Sequence, residues 1–330
     1  MNKLKDKILK LPKVELHLHL DGVVSLELAS KLSGLDIEVL KEKMIAPSKC
    51  ENLSEYLTRF DFPCSLMQTK ENLILVAKDL VDRLSLDNVV YAEIRFAPMF
   101  HTNEGLTYEE IVEAVLEGLN SNDKIKTNLI LCMLRGMPYE NNLKTIEVAS
   151  KYLNKGVCAI DLAGAEDRYP LDEYLDLFEI VKEKQIPFII HAGENGSYEE
   201  VKKAVEVGAK RIGHGIHSID DEETLNLIKD KDVLLEVCPT SNIQTNSVDV
   251  YNNHPILKLY NLGIPVSINT DNSTVSSVTL VEEYLKLYEV FKFTIHDYIE
   301  MNKDAVKYSF LNDADKDILY QRLDEYERNN

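Results

Sequence analysis

The chain has 330 residues, 45% of them hydrophobic and 28% charged, which is enough apolar side chain for a large core. Fifty-six acidic against 37 basic residues leave a formal net charge of −19. That excess excludes a nucleic-acid duplex or an anionic membrane surface as the main partner, because both need a positive field, and leaves a small neutral ligand open.

The opening MNKLKDKILKLPK is charged and lacks an apolar core, so no signal peptide is expected, and no run is long enough to span a bilayer. Strand-like apolar runs follow at 14–18, 89–96, 128–134, 157–162, 187–191, 211–215, 233–237 and 265–269. Several are hydrophobic on consecutive residues, as in parallel strands covered on both faces. Helical periodicity fills the intervals at 108–119, 143–153, 171–184, 198–207 and 222–229. Gly156, Gly208 and Gly263 stand near helix ends, where a left-handed cap is wanted. The stretch 23–88 is too long for one helix and has helical patterns at 52–60 and 65–84, so it is expected to form a lid or cleft wall. Past the last strand, patterns at 280–291, 294–310 and 315–328 are expected to pack under and around the rest. The five cysteines are widely spaced without CxxC, and Cys132, Cys158 and Cys238 fall in apolar runs. They read as thiols in a reducing cytoplasm.

Strands alternating with helices allow a closed barrel or an open doubly wound sheet. An open dinucleotide-binding sheet calls for GxGxxG after its first strand, and neither that motif nor GxxxxGK[ST] occurs. The reactive residues His17, His19, His191, His214 and Asp271 all fall at or just past the carboxyl ends of strand runs. A barrel gathers those ends on one rim, whereas an open sheet separates the first strand from the eighth. The expected fold is therefore an α/β (β/α)8 TIM barrel occupying 1–330 as one domain. It carries a helical insertion at 23–88 after strand 1 and extra C-terminal helices.

His17 and His19 are alternate residues of a strand, so both imidazoles face one side and can share a metal ion. His191-Ala192-Gly193-Glu194 offers a further imidazole with a carboxylate three residues on, suited to acid–base work. Gly213-His214-Gly215 places an imidazole between glycines that allow close approach, and Asp271 ends the eighth strand with a hard oxygen ligand. Imidazoles with a carboxylate point to zinc or a similar divalent ion, which lowers the pKa of a bound water from about 15.7 towards 7. Run 157–162 contains no lysine, so the carbamylated bridge of two-metal barrels is not expected and one metal is. Arg95 reads as buried or paired near strand 2. His101 reads as structural and His217 as a loop or solvent residue.

Taken together, LHLHLDG at 16–22, IDLAGAE at 160–166, HAGE at 191–194, IGHGI at 212–216 and SINTD at 267–271 resemble the adenosine deaminase family in order and spacing. The likeness runs over essentially the whole chain. It implies a (β/α)8 barrel with one zinc ion that hydrolyses adenosine and 2'-deoxyadenosine to the inosine products and ammonia in purine salvage. By the same resemblance His17, His19, His191 and Asp271 hold zinc, and Glu194 gives a proton to purine N1. His214 orients and deprotonates the attacking water, with Asp271 helping to orient it. Asp21 holds a ribose hydroxyl, Gly164 offers its backbone N–H to N3, and His19 also borders the substrate. Leu53, Tyr56, Leu57 and Phe60 resemble the apolar wall over the base.

One position departs from the pattern. Where many members carry a second Asp that binds N7, this chain has Asn272, whose NH2 can donate to an unprotonated N7. The alternatives are a deaminase of another 6-aminopurine, such as adenine or N6-methyl-AMP, and a barrel that binds without catalysis. The latter should have lost a ligand or Glu194, and neither is lost. Asp21 disfavours a 5'-phosphate, for which no basic clamp is apparent.

Overall fold

The computed structural model describes residues 2–329. Eight strands, β1 (Lys13–His19), β2 (Val89–Phe96), β3 (Lys126–Leu134), β4 (Val157–Ala163), β5 (Phe188–Ala192), β6 (Arg211–His214), β7 (Leu234–Val237) and β8 (Val266–Ile268), form one sheet in sequence order. Each pairs in parallel with the next. The ring closes just past β8. There Asp271 N–H donates to His17 O (3.1 Å) and His19 N–H to Asp271 O (2.8 Å), while Asn269 Oδ1 accepts from Leu16 and His17 N–H (2.9 and 3.1 Å). The expected (β/α)8 barrel is therefore present, and its closure uses the residue expected to bind metal.

Helices run between the strands with ordinary stop and start chemistry. Thr107 caps Tyr108–Leu119 through a reciprocal box with Glu110, and Gly208 ends Tyr198–Val207 at φ +110°, a conformation that favours glycine. The helix after β3 begins at Tyr139, four residues before the periodicity suggests, because its first turn is mostly polar. The pattern at 65–84 divides into Asp61–Leu66 and Lys70–Leu86. Thr69 Oγ1 caps the second helix by accepting from Asn72 N–H (3.3 Å), and the Asn72 amide donates back to Leu66 O (2.7 Å).

Between β1 and β2 lie Leu26–Ser33, Ile37–Met44, Leu53–Leu57 and the two helices just named. After β8 come Leu280–Phe291, Ile295–Tyr308 and Asp313–Asn329. Asn302, on the middle one, accepts from Val14 N–H (2.8 Å) at the amino end of β1. No helix among the described residues is long and apolar enough to cross a membrane.

Inside the barrel the usual branched aliphatic filling is interrupted by charge. Glu93, Arg95, Asp161, Arg211 and Glu236 are all fully buried. Arg95 donates to Asp161 (2.8 Å) and Glu236 (2.7 Å), and Arg211 donates to Glu236 (2.6 Å) and Glu93. Buried charges are tolerated only when paired in this way.

Candidate active site

At the carboxyl ends of the strands, three imidazole nitrogens and a carboxylate oxygen converge. His19 Nε2 lies 3.3 Å from His17 Nε2 and 3.2 Å from His191 Nε2. Asp271 Oδ1 lies 3.3 Å from His17 Nε2 and 3.5 Å from His19 Nε2. His17 and His19 are there because alternate residues of β1 share a face. His191 comes from β5. Asp271 sits in the left-handed region at φ +62°, a conformation stabilised by its two backbone bonds to β1.

The other ring nitrogens are already engaged. His17 Nδ1 is 2.9 Å from Glu236 Oε2, and His191 Nδ1 is 2.9 Å from Asp161 Oδ2. A carboxylate on Nδ1 holds the proton there and leaves Nε2 free as a lone-pair donor, the usual support for a metal-ligating histidine. Arg95 bridges these two carboxylates from below, so the expectation of a buried, paired Arg95 holds. The sequence gives no role to Asp161, within IDLAGAE, or to Glu236, because each is a lone carboxylate in an apolar strand run. Their signal is that a lone carboxylate there requires a cation or imidazole partner.

Charge states follow from these contacts. Burial pushes His19 well below its usual range; the Asp271 charge opposes this, and the charges of His17, His191 and Arg95 add to it. Burial lowers His17 too, but its bonds to Asp271 and Glu236 raise it overall. For Asp271, burial acts upward and is outweighed by the His17 hydrogen bond and the surrounding imidazoles, which hold the carboxyl below the usual range. Three imidazole nitrogens with one ionised oxygen, two of the rings oriented by carboxylates at Nδ1, fit a divalent ion such as zinc.

Glu194 follows β5 and is 7% exposed. Burial first, then the charges of Asp271 and Glu166, push its carboxyl well above the usual range. Its loop is held by Glu166, whose carboxylate accepts from the N–H groups of Gly193, Glu194, Asn195 and Gly196 at 2.6–2.8 Å. Glu166 closes the IDLAGAE motif, yet sequence reasoning assigned it no part. His214, at φ +61°, places Nε2 3.6 Å from Glu194 Oε2. Burial keeps it well below the usual imidazole range. Gly213 is needed beside it, since a Cβ there would lie 3.1 Å from both the His17 and His191 rings.

These groups open into a cavity of about 520 Å3, within the range of small-molecule sites. Leu53, Tyr56, Leu57 and Phe60 line it from the 23–88 segment, and Asp21, Gly164, Asn272 and Cys132 line it from the barrel. All the site residues expected from the sequence therefore reach one cavity or the donor cluster beside it. Two have neighbours the sequence did not predict. Asp21 Oδ1 is 2.7 Å from the buried His101 Nε2, which gives that histidine its structural role. The Asn272 amide nitrogen donates to Tyr56 Oη (3.2 Å), and its carbonyl oxygen is buried without a partner. Among the described residues Arg135 is the one arginine or lysine lining the cavity, and its two terminal nitrogens are engaged by Tyr169 O, Glu200 and His191 O. His217, half-buried, pairs with Asp220.

Fold and donor set together define a class, that of barrel hydrolases with a metal-binding cluster on the carboxyl rim. The adenosine deaminase family model matches residues 12–326, and the chain belongs to that family. It is 40% identical over 324 residues to an adenosine deaminase of Clostridium perfringens, covering 94% of this chain and 98% of that one. An adenine deaminase from Arthrobacter aurescens superposes with a TM-score of 0.87 at 26% identity, over 96% of this chain and 99% of the other. The N6-methyl-AMP deaminase of Arabidopsis thaliana gives 0.87 at 25%, over 99% and 100%.

Proposed function

We propose that the protein hydrolyses adenosine and 2'-deoxyadenosine to inosine and 2'-deoxyinosine with release of ammonia. The observation that carries this reading is the buried Glu194 carboxyl, its pKa pushed well above the usual range by burial, beside the His17, His19, His191 and Asp271 donor set. Those four residues would hold one zinc ion, which when bound supplies a water of lowered pKa.

The chain's own groups do the rest. Glu194 gives its proton to purine N1, which makes C6 electrophilic. Asp271, ionised, orients the attacking water and takes one of its protons as oxygen bonds to C6. That proton then passes to the C6 amino group, the C6–N6 bond breaks and ammonia leaves. The remaining hydroxyl proton returns to Glu194 as the carbonyl forms. His214 stands beside Glu194, with Nε2 3.6 Å from Glu194 Oε2.

Asp21 accepts from a ribose hydroxyl with the lone pairs that His101 leaves, and Gly164 N–H reaches N3. Turning the Asn272 amide over makes its carbonyl accept from Tyr56 Oη and frees its NH2 for N7. The 23–88 segment of this single 1–330 domain supplies the apolar wall over the base. Adenosine is favoured over a 5'-nucleotide because both terminal nitrogens of Arg135 are already engaged and its Nε is buried. The test is ammonia release from adenosine, 2'-deoxyadenosine, adenine and N6-methyl-AMP at equal concentration. Adenosine turnover should exceed that of adenine and N6-methyl-AMP by at least about 10²-fold, a lower bound below the roughly 10⁴–10⁵-fold reached when all the buried polar groups of a site are left unpaired. Preference for either of the latter would overturn the assignment.

A further inference from the structure

Behind His214 runs a chain of three hydrogen bonds that the mechanism above does not use. Ile256 N–H donates to His254 Nδ1 (3.2 Å), His254 Nε2 lies 3.2 Å from Asn242 Oδ1, and Asn242 Nδ2 lies 3.1 Å from His214 Nδ1. All three side chains are buried. Asn242 stands on the helix Pro239–Gln244 that follows β7, and His254 stands just before the helix Ile256–Asn261.

The chain has only one consistent direction. A backbone N–H can only donate, so His254 Nδ1 accepts and the proton of its neutral ring is on Nε2. Burial keeps that ring neutral, its pKa pushed down to about 3. Nε2–H then donates to the Asn242 carbonyl oxygen, which turns the amide NH2 towards His214. His214 Nδ1 must accept, so it carries no proton and the ring proton of His214 is on Nε2, the atom nearest Glu194.

We infer that Asn242 and His254 are positioning residues that hold His214 in its Nε2–H tautomer, so that His214 donates a hydrogen bond into the site and does not remove a proton there. This reverses the direction expected from the resemblance, in which His214 deprotonates the water. Asp271, whose second oxygen accepts from Ser241 Oγ (2.6 Å), is left as the proton acceptor. The consequence for turnover rests on the deaminase reading, but the tautomer itself does not.

Long-range proton–nitrogen correlation spectra of the metal-loaded chain, with nitrogen-15 histidine, test it. The His214 signals, identified by their loss in His214→Ala, should show an unprotonated Nδ1 and a protonated Nε2 without any substrate present. In Asn242→Asp the carboxylate can only accept, so the proton should move to Nδ1 while metal content stays the same. kcat for adenosine should then fall about a hundredfold with KM little changed, as when an oriented transition-state donor is lost. In His254→Phe the amide is free to turn, and His214 should show both tautomers. A wild-type His214 protonated on Nδ1, or unaltered ring signals in Asn242→Asp, overturns the inference. So does an unchanged kcat in a variant whose tautomer has switched. Because the spectra need no substrate, they hold or fail separately from the choice of adenosine.

Discussion

The space below the three imidazoles and the space above them are built from opposite materials. Below, Arg95, Asp161, Glu236, Arg211 and Glu93 fill the barrel with paired charge, all of it shut off from solvent. Above, Leu53, Tyr56, Leu57 and Phe60 face a cavity from the 23–88 segment, with Tyr56 and Phe60 ring centroids 6.1 Å apart. The charged layer orients, because a carboxylate at Nδ1 fixes which ring nitrogen is free. The apolar layer offers largely hydrocarbon surface to the cavity, which under the proposed function suits a flat base without specifying it. Precision is thus concentrated on the barrel side, and Asp21, Glu194, His214, Asp271 and Asn272 bring it to the boundary of the cavity.

The comparison can be broken hardest at the donors themselves. His17→Ala removes one ligand and should abolish metal retention and activity together, checked by elemental analysis and ammonia release. Two metal ions per chain, or retained metal in this variant, would contradict the single-site reading. At the boundary, Glu194→Gln keeps shape but has no proton to give. Turnover should fall by about 10²–10⁴-fold with metal retained.

The raised Glu194 pKa also sets a sign for the pH dependence. The protonated form is the active one, so kcat/KM should fall as pH rises through that pKa. A profile with no alkaline limb assignable to Glu194 would remove it from the acid role.

Arg95→Met attacks the lower layer directly. Asp161 would keep only His191 as an ionic partner, and an uncompensated buried carboxylate should cost about 3–5 kcal/mol of stability. Urea unfolding of the metal-loaded chain measures this; a loss below about 1 kcal/mol would mean the network is not acting as a unit.

The smallest effect belongs to the upper layer. Asn272→Ala should lower kcat/KM for adenosine by about ten- to a hundredfold, the worth of one hydrogen bond of about 1–3 kcal/mol. 7-Deazaadenosine has no N7 acceptor and should lose little further. Equal penalties on both substrates would separate Asn272 from N7 and leave it as a partner of Tyr56 alone.

Much of the site was legible because its residues carry unusual chemistry in short, ordered motifs. His17 and His19 share a face by strand periodicity alone, and HAGE, IGHGI and SINTD stand where strand runs end. The supporting groups were far less visible. Glu236 and Asp161 are single carboxylates in apolar runs, and Glu166, Asn242 and His254 lie in loops or short helices that no periodicity connects to the rim. Asp271 was read as a ligand, but its part in closing the barrel through His17 and His19 depends on a backbone pairing more than 250 residues apart in the chain.

By itself the sequence determined the alternation of strands and helices, the barrel and which imidazoles and carboxylate stand at its carboxyl rim, since these follow from local periodicity and the positions of the strand ends. Only the tertiary structure decided the break at Thr69, the pairing of Asp21 with His101 and the turn of the Asn272 amide towards Tyr56. It alone decided the direction of the hydrogen bonds behind His214. Each of these depends on which distant group comes within about 3 Å, and hydrogen-bond direction is set by the one partner in the chain that can only donate.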